Sequence, residues 1–441
     1  MEIELQRVGR LIHAAFPGRT RNPLRALDHK AMELASQDME LRAALFRFVD
    51  VTPACRSLDD LARHLTGYLD EVDTRPPPIE AAMKMSGTKA GRAALGAAAA
   101  AGVRRMAHRF IVGETPRDAL RSIRHLWEQG AAVSVDLLGE RTVTQVEADR
   151  YAARCLDALE TTSEAAPRWP ERPVLEADSL GPLPRVNLSA KVSALTPLLR
   201  PEAPDVGRDD AARRMRPLLL RAKELGAHLH IDMESVNTLE ATMDLVFELL
   251  DEPELSDGPS TGIVIQAYLR ESPEQLERVI DWARATGRRP PLVVRLVKGA
   301  YWDHEVVEAR QHGWTPPVFE QKRESDQNFE ALTRRLLEAW PHVRPAIASH
   351  NLRSVAHAVA CNRALGREDR DLELQVLRGL GDDLAAALAG HGMRVRSYCP
   401  VGDLVAGMAY LVRRLLENTA NESFLGDQQR GVPIEELLAA P

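Results

Sequence analysis

The stretch Leu292–Trp302, "LVVRLVKGAYW", decides the fold. It is a short apolar run that closes on polar residues, which is how a buried strand running into a loop reads. Seven more runs share this form. They are "AAVSVDLLGE" (131–140), "RVNLSAKVSAL" (185–195), "AHLHIDME" (227–234), "TGIVIQAYLR" (261–270), "RPAIASHN" (344–351), "LELQVLRG" (372–379) and "RVRSYCPVG" (394–402). Mostly helical text lies between them, such as "DDAARRMRPLLLRAKELG" (209–226) and "SPEQLERVIDWARATG" (272–287). Repeated strand–helix alternation predicts a parallel sheet. Eight units in roughly 300 residues fit a closed (βα)8 TIM-type barrel, with an open doubly wound sheet as the alternative.

A barrel of this kind carries its chemistry where strands end and loops begin. Those ends are rich in polar groups: Asp136 and Glu140, Lys191, Asp232 and Glu234, Gln266 and Tyr268, Arg295 with Lys298 and Tyr301, His350 and Asn351, Gln375, and Tyr398. Any one alone reads equally well as an ordinary loop or core polar residue. Their recurrence at most of the eight ends predicts a large charged pocket on one face.

Directly after the eighth run comes "AYLVRRLLEN" (409–418), rich in helix formers. Tyr410, Arg413, Arg414 and Glu417 fall at i, i+3, i+4 and i+7, one face of a helix. Glu417 balances one positive charge and leaves about one spare guanidinium. The stripe is either a solvated surface or a clamp for a small carboxylate or phosphate.

Ahead of the barrel, residues 1–75 read as several short helices, among them "SLDDLARHLTGYLDEV" (57–72) with Ser57 as N-cap. "TRPPPIEAA" (74–82) reads as a Pro-rich break, and the Ala-rich "KAGRAALGAAAAAGVRRMAHRF" (89–110) as a helix. The expected division is an N-terminal helical arm over 1–75, a connecting helical segment over 76–115, the barrel over 116–428 and a tail or linker over 429–441.

Across 441 residues, 44% are hydrophobic and 27% charged, as in ordinary globular proteins. A net charge of -7 argues against nucleic acid as a partner, since there is no basic excess to meet phosphates. The four cysteines are far apart and form no CxxC pair or disulfide framework, which predicts a reducing, cytoplasmic setting. No run of about eighteen apolar residues is present, and the N-terminus lacks a signal-peptide core. GxSxG, HExxH, Walker A and GxGxxG are all missing. One alternative remains in "HLHIDMES": a metal-dependent barrel hydrolase built on His230, Asp232 and Glu234. A non-catalytic, partner-binding barrel is the other.

The blocks "LSAKVSAL", "HIDMES", "VIQAYL", "VRLVKGAYWD", "ASHN", "YCPVGD" and "AYLVRRLLEN", in this order, resemble the signature blocks of the proline dehydrogenase family. The match extends over about residues 75–425, and "RLVKGAYWD" and "YLVRRLLEN" are its specific parts. The resemblance implies a distorted (βα)8 barrel that binds FAD, oxidises L-proline to Δ1-pyrroline-5-carboxylate by hydride transfer from C5 to flavin N5, and passes electrons to a membrane quinone. It implies that Arg413, Arg414 and Lys191 hold the substrate carboxylate, that Tyr398, Tyr410 and Leu296 pack against the ring, and that Tyr301 forms pocket wall. Asp232 would support Lys191 or the flavin side, and Glu140 would pair with Arg413. By the same resemblance Arg295 lies near flavin N5. Gln266, Lys298, Gly299, Ala300, Tyr301, Trp302, Lys322, Ser349, His350, Asn351, Gln375 and Glu417 complete the cofactor contacts, and no metal is implied. Hydroxyproline or another cyclic amino acid is the substrate alternative.

Three departures stand out: Glu320 and Ser349 where relatives often carry Thr, and Arg378 where some carry His. The first 75 residues do not resemble the ribbon-helix-helix module of the large bifunctional relatives. "GVPIEELLAAP" resembles the linker to their second half, a pyrroline-5-carboxylate (glutamate semialdehyde) dehydrogenase. The expectation is therefore either a single-activity enzyme with that dehydrogenase separate, or part of a fused protein. The resemblance also implies peripheral contact with the inner face of the membrane.

Overall fold

The structure is a computed structural model that describes residues 1–16, 38–139, 141–403, 407 and 432–441. Eight parallel strands close into a barrel: β1 (Ala131–Leu137), β2 (Asn187–Lys191), β3 (His228–Asp232), β4 (Ser260–Gln266), β5 (Leu292–Val297), β6 (Val343–Ala348), β7 (Glu373–Leu377) and β8 (Val395–Val401). Each pairs with its sequence neighbours, and β8 closes the ring on β1 from Ala131↔Val395 to Leu137↔Val401. All eight strands lie within the apolar runs, or one residue beyond them, and the open-sheet alternative is excluded by this closure.

Alternation along each strand separates two environments. Leu188, Leu229, Ile231, Ile263, Val294, Ile347 and Leu374 are buried against the surrounding helices. Full burial of each such side chain contributes roughly 1.5–3 kcal/mol. The alternate residues face the lumen and are largely polar, which their hydrogen bonds across the barrel establish: Ser134 to Asn187, Ser189 to Asp232, Arg295 to Gln375, and Arg396 to Glu373. The stacked rings of His228 and His230 fit because β4 carries Gly262 opposite them. A Cβ there would sit 2.3 Å from the His230 ring.

Outside the barrel, α1 (Glu2–Ala14) is separate from the other N-terminal helices. Leu5, Val8 and Ile12 join the barrel's apolar core, and Arg353, on the barrel helix Leu352–Ala364, bonds Glu2 at 2.9 Å. The helices α2 (Met39–Val51), α3 (Leu58–Asp70), α4 (Pro77–Met85) and α5 (Lys89–Phe110) follow. Leu41, Phe48, Leu65 and Phe110 belong to a second apolar cluster that reaches the barrel at Leu138. Ser57 caps α3 by accepting from Asp60 N at 3.1 Å, as expected. The Pro-rich stretch is not only a break: α4 starts inside it, with proline in its first turn, where the missing N–H costs nothing.

The strand starts are sealed from below by a two-residue hairpin, Ala177–Asp178 against Gly181–Pro182. Asp178 anchors it through a bidentate pair with Arg344 at 2.9 and 3.0 Å.

Candidate active site

At the other end of the barrel, β1, β2, β3, β5, β7 and β8 bring seven side chains together. Asp232 is the hub. Its Oδ1 accepts from Arg295 at 2.6 Å and from Ser189 Oγ at 2.9 Å, and its Oδ2 accepts from the Tyr398 hydroxyl at 2.7 Å. Lys191 Nζ lies 3.6 Å from the same Oδ2 and donates to Asp136 at 2.5 Å. Arg295 Nε donates to Gln375 at 2.7 Å, and its guanidinium sits 5.3 Å from the Tyr398 ring centroid, within cation–π range.

Burial makes these contacts matter. Desolvation works against both charges in the Lys191–Asp232 pair. Asp136 and Asp232 nevertheless hold the Lys191 pKa above its usual range, and Arg295 and Lys191 hold Asp232 below the usual carboxylate range. Both groups are therefore ionised near neutral pH. Burial, reinforced by Asp136 and Asp232, raises the Tyr398 hydroxyl well above its ordinary value, so it stays a donor.

A second group forms where β5 and α12 (Lys322–Glu338) meet. Asp326 pairs with both Lys298 and Lys322, the latter at 2.6 Å. Lys298 is followed by Gly299, with φ +138° and no room for a Cβ, which would come within 2.3 Å of the Tyr268 ring. Ala300 follows in the loop, Tyr301 occupies the N-cap of the helix Trp302–His312, and Trp302 bonds Phe319 O at 2.9 Å. Gln266 donates to Glu234 O at 3.1 Å, but its Oε1 is buried without a hydrogen-bond partner.

Other expected residues hold backbone in place. Ser349 Oγ accepts from Asn351 N, Asn351 caps the following helix through Ser354 N, and His350 Nε2 accepts from Leu377 N at 2.9 Å. Leu296 is fully buried and pairs in register with Ile265, while Arg295 pairs with Val264. Alternation therefore turns Leu296 to the face opposite Arg295, into the apolar layer, and the geometry does not bring it to the lumen. Glu140, Tyr410, Arg413, Arg414 and Glu417 lie outside the described residues. Of the departures, Glu320 pairs with Arg310 at 3.0 Å and Arg378 with Asp382 at 3.0 Å.

The hydrolase alternative required His230, Asp232 and Glu234 to converge. Instead His230 stacks on His228, Asp232 is taken by Arg295, Ser189 and Tyr398, and Glu234 accepts from Ser193 at 2.8 Å. Among the described residues, the one grouping spaced for a metal ion is Cys55, Asp60 and His64 on the N-terminal helices.

Sequence reading missed Ser189 and Asp326 as partners, and did not assign Asp136 to Lys191. Asp326 had a signal: it falls one helical turn after Lys322. The other two depend on which strands become neighbours.

Fold and site together define a closed parallel barrel whose mouth holds a buried cluster of charged and polar groups suited to a small polar ligand. A family model described as proline dehydrogenase matches residues 119–427, and one described as the proline utilization A N-terminal domain matches residues 2–110. The chain belongs to the proline dehydrogenase family. It is 34% identical over 350 residues to the bifunctional protein PutA of Escherichia coli (strain K12), covering 77% of this chain and 25% of that protein. It is 27% identical over 332 residues to proline dehydrogenase 1 of Bacillus subtilis (strain 168), covering 74% of this chain and 92% of that one. The crystal structure of proline utilization A from Bdellovibrio bacteriovorus inactivated by N-propargylglycine superimposes with a TM-score of 0.91 at 35% identity, covering 100% of this chain and 44% of that one. The chain thus spans about a quarter of the E. coli relative and under half of the Bdellovibrio one.

Proposed function

We propose that this chain oxidises L-proline to Δ1-pyrroline-5-carboxylate with FAD as cofactor, a quinone as the final acceptor, and a pyrroline-5-carboxylate dehydrogenase, fused or separate, as the consumer of the product. The supporting observation is the Asp232 hub, built by residues of the family's signature blocks. FAD fits what is present. The orphaned Gln266 Oε1 is complementary to a ring N–H, and Lys298 and Lys322, which share the one carboxylate of Asp326, leave a net positive charge for a pyrophosphate. Asp232, Gln266, Arg295, Gln375 and the Lys298–Trp302 loop would hold the ring side. Lys322, Ser349, His350, Asn351 and Glu417 would hold the remainder. When bound, the flavin supplies a two-electron acceptor.

Charge counting supports this placing of the carboxylate. In the described hub, Lys191 and Arg295 are balanced by Asp136 and Asp232. Holding a further anion needs another cation, and Arg413 and Arg414 on the segment after β8 supply it, with Lys191 as a third contact. Tyr398 and Tyr410 would screen the ring from water, and Glu140 would pair with Arg413 when the site is empty. No helix of the described residues is long and apolar enough to cross a membrane, so quinone would be met at the membrane surface.

The test is anaerobic spectroscopy of the purified chain. The expected result is a yellow protein with a flavin spectrum that L-proline bleaches. A folded protein that takes up no flavin, or whose flavin spectrum proline leaves unchanged, would refute the proposal.

A further inference from the structure

The closed end of the barrel holds a second group of buried charges, unconnected with the proposed reaction. Arg344, Arg394 and Arg396 meet there, each no more than 5% exposed, and their carboxylate partners are Asp178 and Glu373. Three positive charges thus face two negative ones. His228 and His230 add no negative charge, because burial keeps both rings neutral, and the buried carboxylate of Asp371 is taken up by Ser179 and the backbone of Glu368.

Asp178 has no spare capacity, and Glu373, which accepts three bonds, has its Oε2 3.9 Å from Arg394 Nε, beyond hydrogen-bond reach. Asp178 accepts two bonds from Arg344, one from Arg394 at 3.3 Å and one from Leu180 N at 2.9 Å, which fills its four lone-pair sites. Glu373 accepts two from Arg396 and one from Gln375. Two donors are left over: Arg344 Nη1 and Arg394 Nε are buried and have no hydrogen-bond partner. Both arginines line one cavity of about 20 Å³, together with Arg396 and its partner Glu373, His228 and Leu183.

We infer that this cavity binds one small monovalent anion of halide size, with chloride the natural occupant. Three quantities select that class. A water would accept from the orphaned donors but would leave the surplus charge, and an uncompensated buried charge costs on the order of several kcal/mol. A cavity needs about 10–15 Å³ by this measure to hold a water, so about 20 Å³ admits a slightly larger single particle and no organic acid. The excess is one charge, which a monovalent ion cancels. The ion would tie the hairpin through Asp178 and Arg344 to the starts of β6, β7 and β8, closing the barrel's floor.

The experiment uses the full chain. Crystals grown in bromide are expected to show a single anomalous peak within hydrogen-bond reach of Arg344 Nη1 and Arg394 Nε; an ordered water there in its place overturns the proposal. In solution, chloride or bromide is expected to raise Tm by about 2 °C at ten times the dissociation constant, compared with gluconate at equal ionic strength. Equal Tm values in halide and gluconate count against it. Leu183→Glu places a carboxylate at the cavity's rim, where Leu183 is only half-buried, and is expected to abolish the halide dependence. A halide shift that persists undiminished in that variant overturns the assignment to this cavity.

Discussion

Both ends of the barrel bury ionised side chains, but they use them differently. At the floor the charges meet as forks: Arg344 on Asp178 and Arg396 on Glu373 each make two parallel bonds. Such pairs are rigid and directional. At the mouth the contacts are single and shared. One carboxylate, Asp232, serves Arg295, Ser189 and Tyr398, with Lys191 3.6 Å away. Forks hold a structure together, whereas a hub with one loose member can rearrange around a ligand.

The largest way to break the comparison is at the floor. Glu373→Ala leaves Arg396 buried without its carboxylate, and removing one partner of a buried pair costs about 3–5 kcal/mol. Urea denaturation should show that loss. A change under about 1 kcal/mol would mean that the fork is not the rigid element described here.

At the mouth, Lys191→Met should act on turnover more than on stability. Asp136 loses its ion-pair partner, but the hub keeps its centre, because Asp232 still holds Arg295, Ser189 and Tyr398. If Lys191 meets the substrate carboxylate as proposed, loss of that charge-assisted contact, worth about 1.5–3 kcal/mol, lowers kcat/KM for proline roughly 10- to 150-fold, mainly through KM. Steady-state kinetics beside a melting curve separate the two. A stability loss equal to that of Glu373→Ala would erase the distinction between the ends.

The floor also sets a pH response. Burial pushes the His228 pKa down to about 3 and lowers that of His230 further from its usual value. The unfolded chain takes up these protons near pH 6.5 and the folded chain does not, so stability falls as pH drops from about 6.5 towards 3. The limiting slope is about 1.4 kcal/mol per pH unit for each histidine. His228→Gln should make the decline between pH 6.5 and 4.5 shallower, read as the urea midpoint against pH. An unchanged slope would show that His228 is not kept neutral.

Much of this was legible in the sequence. Apolar runs mark strands because the outward face of a barrel strand must be buried, and all eight were visible for that reason. Lys191, Asp232, Arg295, Gln375 and Tyr398 stood out because polar groups recur at one strand end after another, where a barrel of this kind carries its chemistry. The pairing was not legible. Asp136 meets Lys191 and Ser189 meets Asp232 only because β1, β2 and β3 stand side by side with a particular register. The floor escaped notice for a related reason. Arg344, Glu373, Arg394 and Arg396 sit at strand starts, where charges read as ordinary loop flanks until closure drives them into one lumen. Leu296 shows the opposite error: a residue adjacent to Arg295 in sequence is turned away from it by the pleat.

The smallest expected effect sharpens the mouth itself. Tyr398→Phe removes only the hydroxyl that donates to Asp232 and keeps the ring on Arg295. One neutral donor to a carboxylate is worth about 1–1.5 kcal/mol, so kcat/KM should fall roughly 5- to 12-fold, with little change in stability because Asp232 keeps Arg295 and Ser189. The companion measurement is the double mutant with Lys191→Met. If Asp232 joins the two residues into one responsive hub, the paired loss departs from the product of the single losses, as expected for groups that share a partner. Strictly multiplicative losses would mean that Lys191 and Tyr398 act on the ligand separately, and the mouth would then be a set of independent contacts and not a hub.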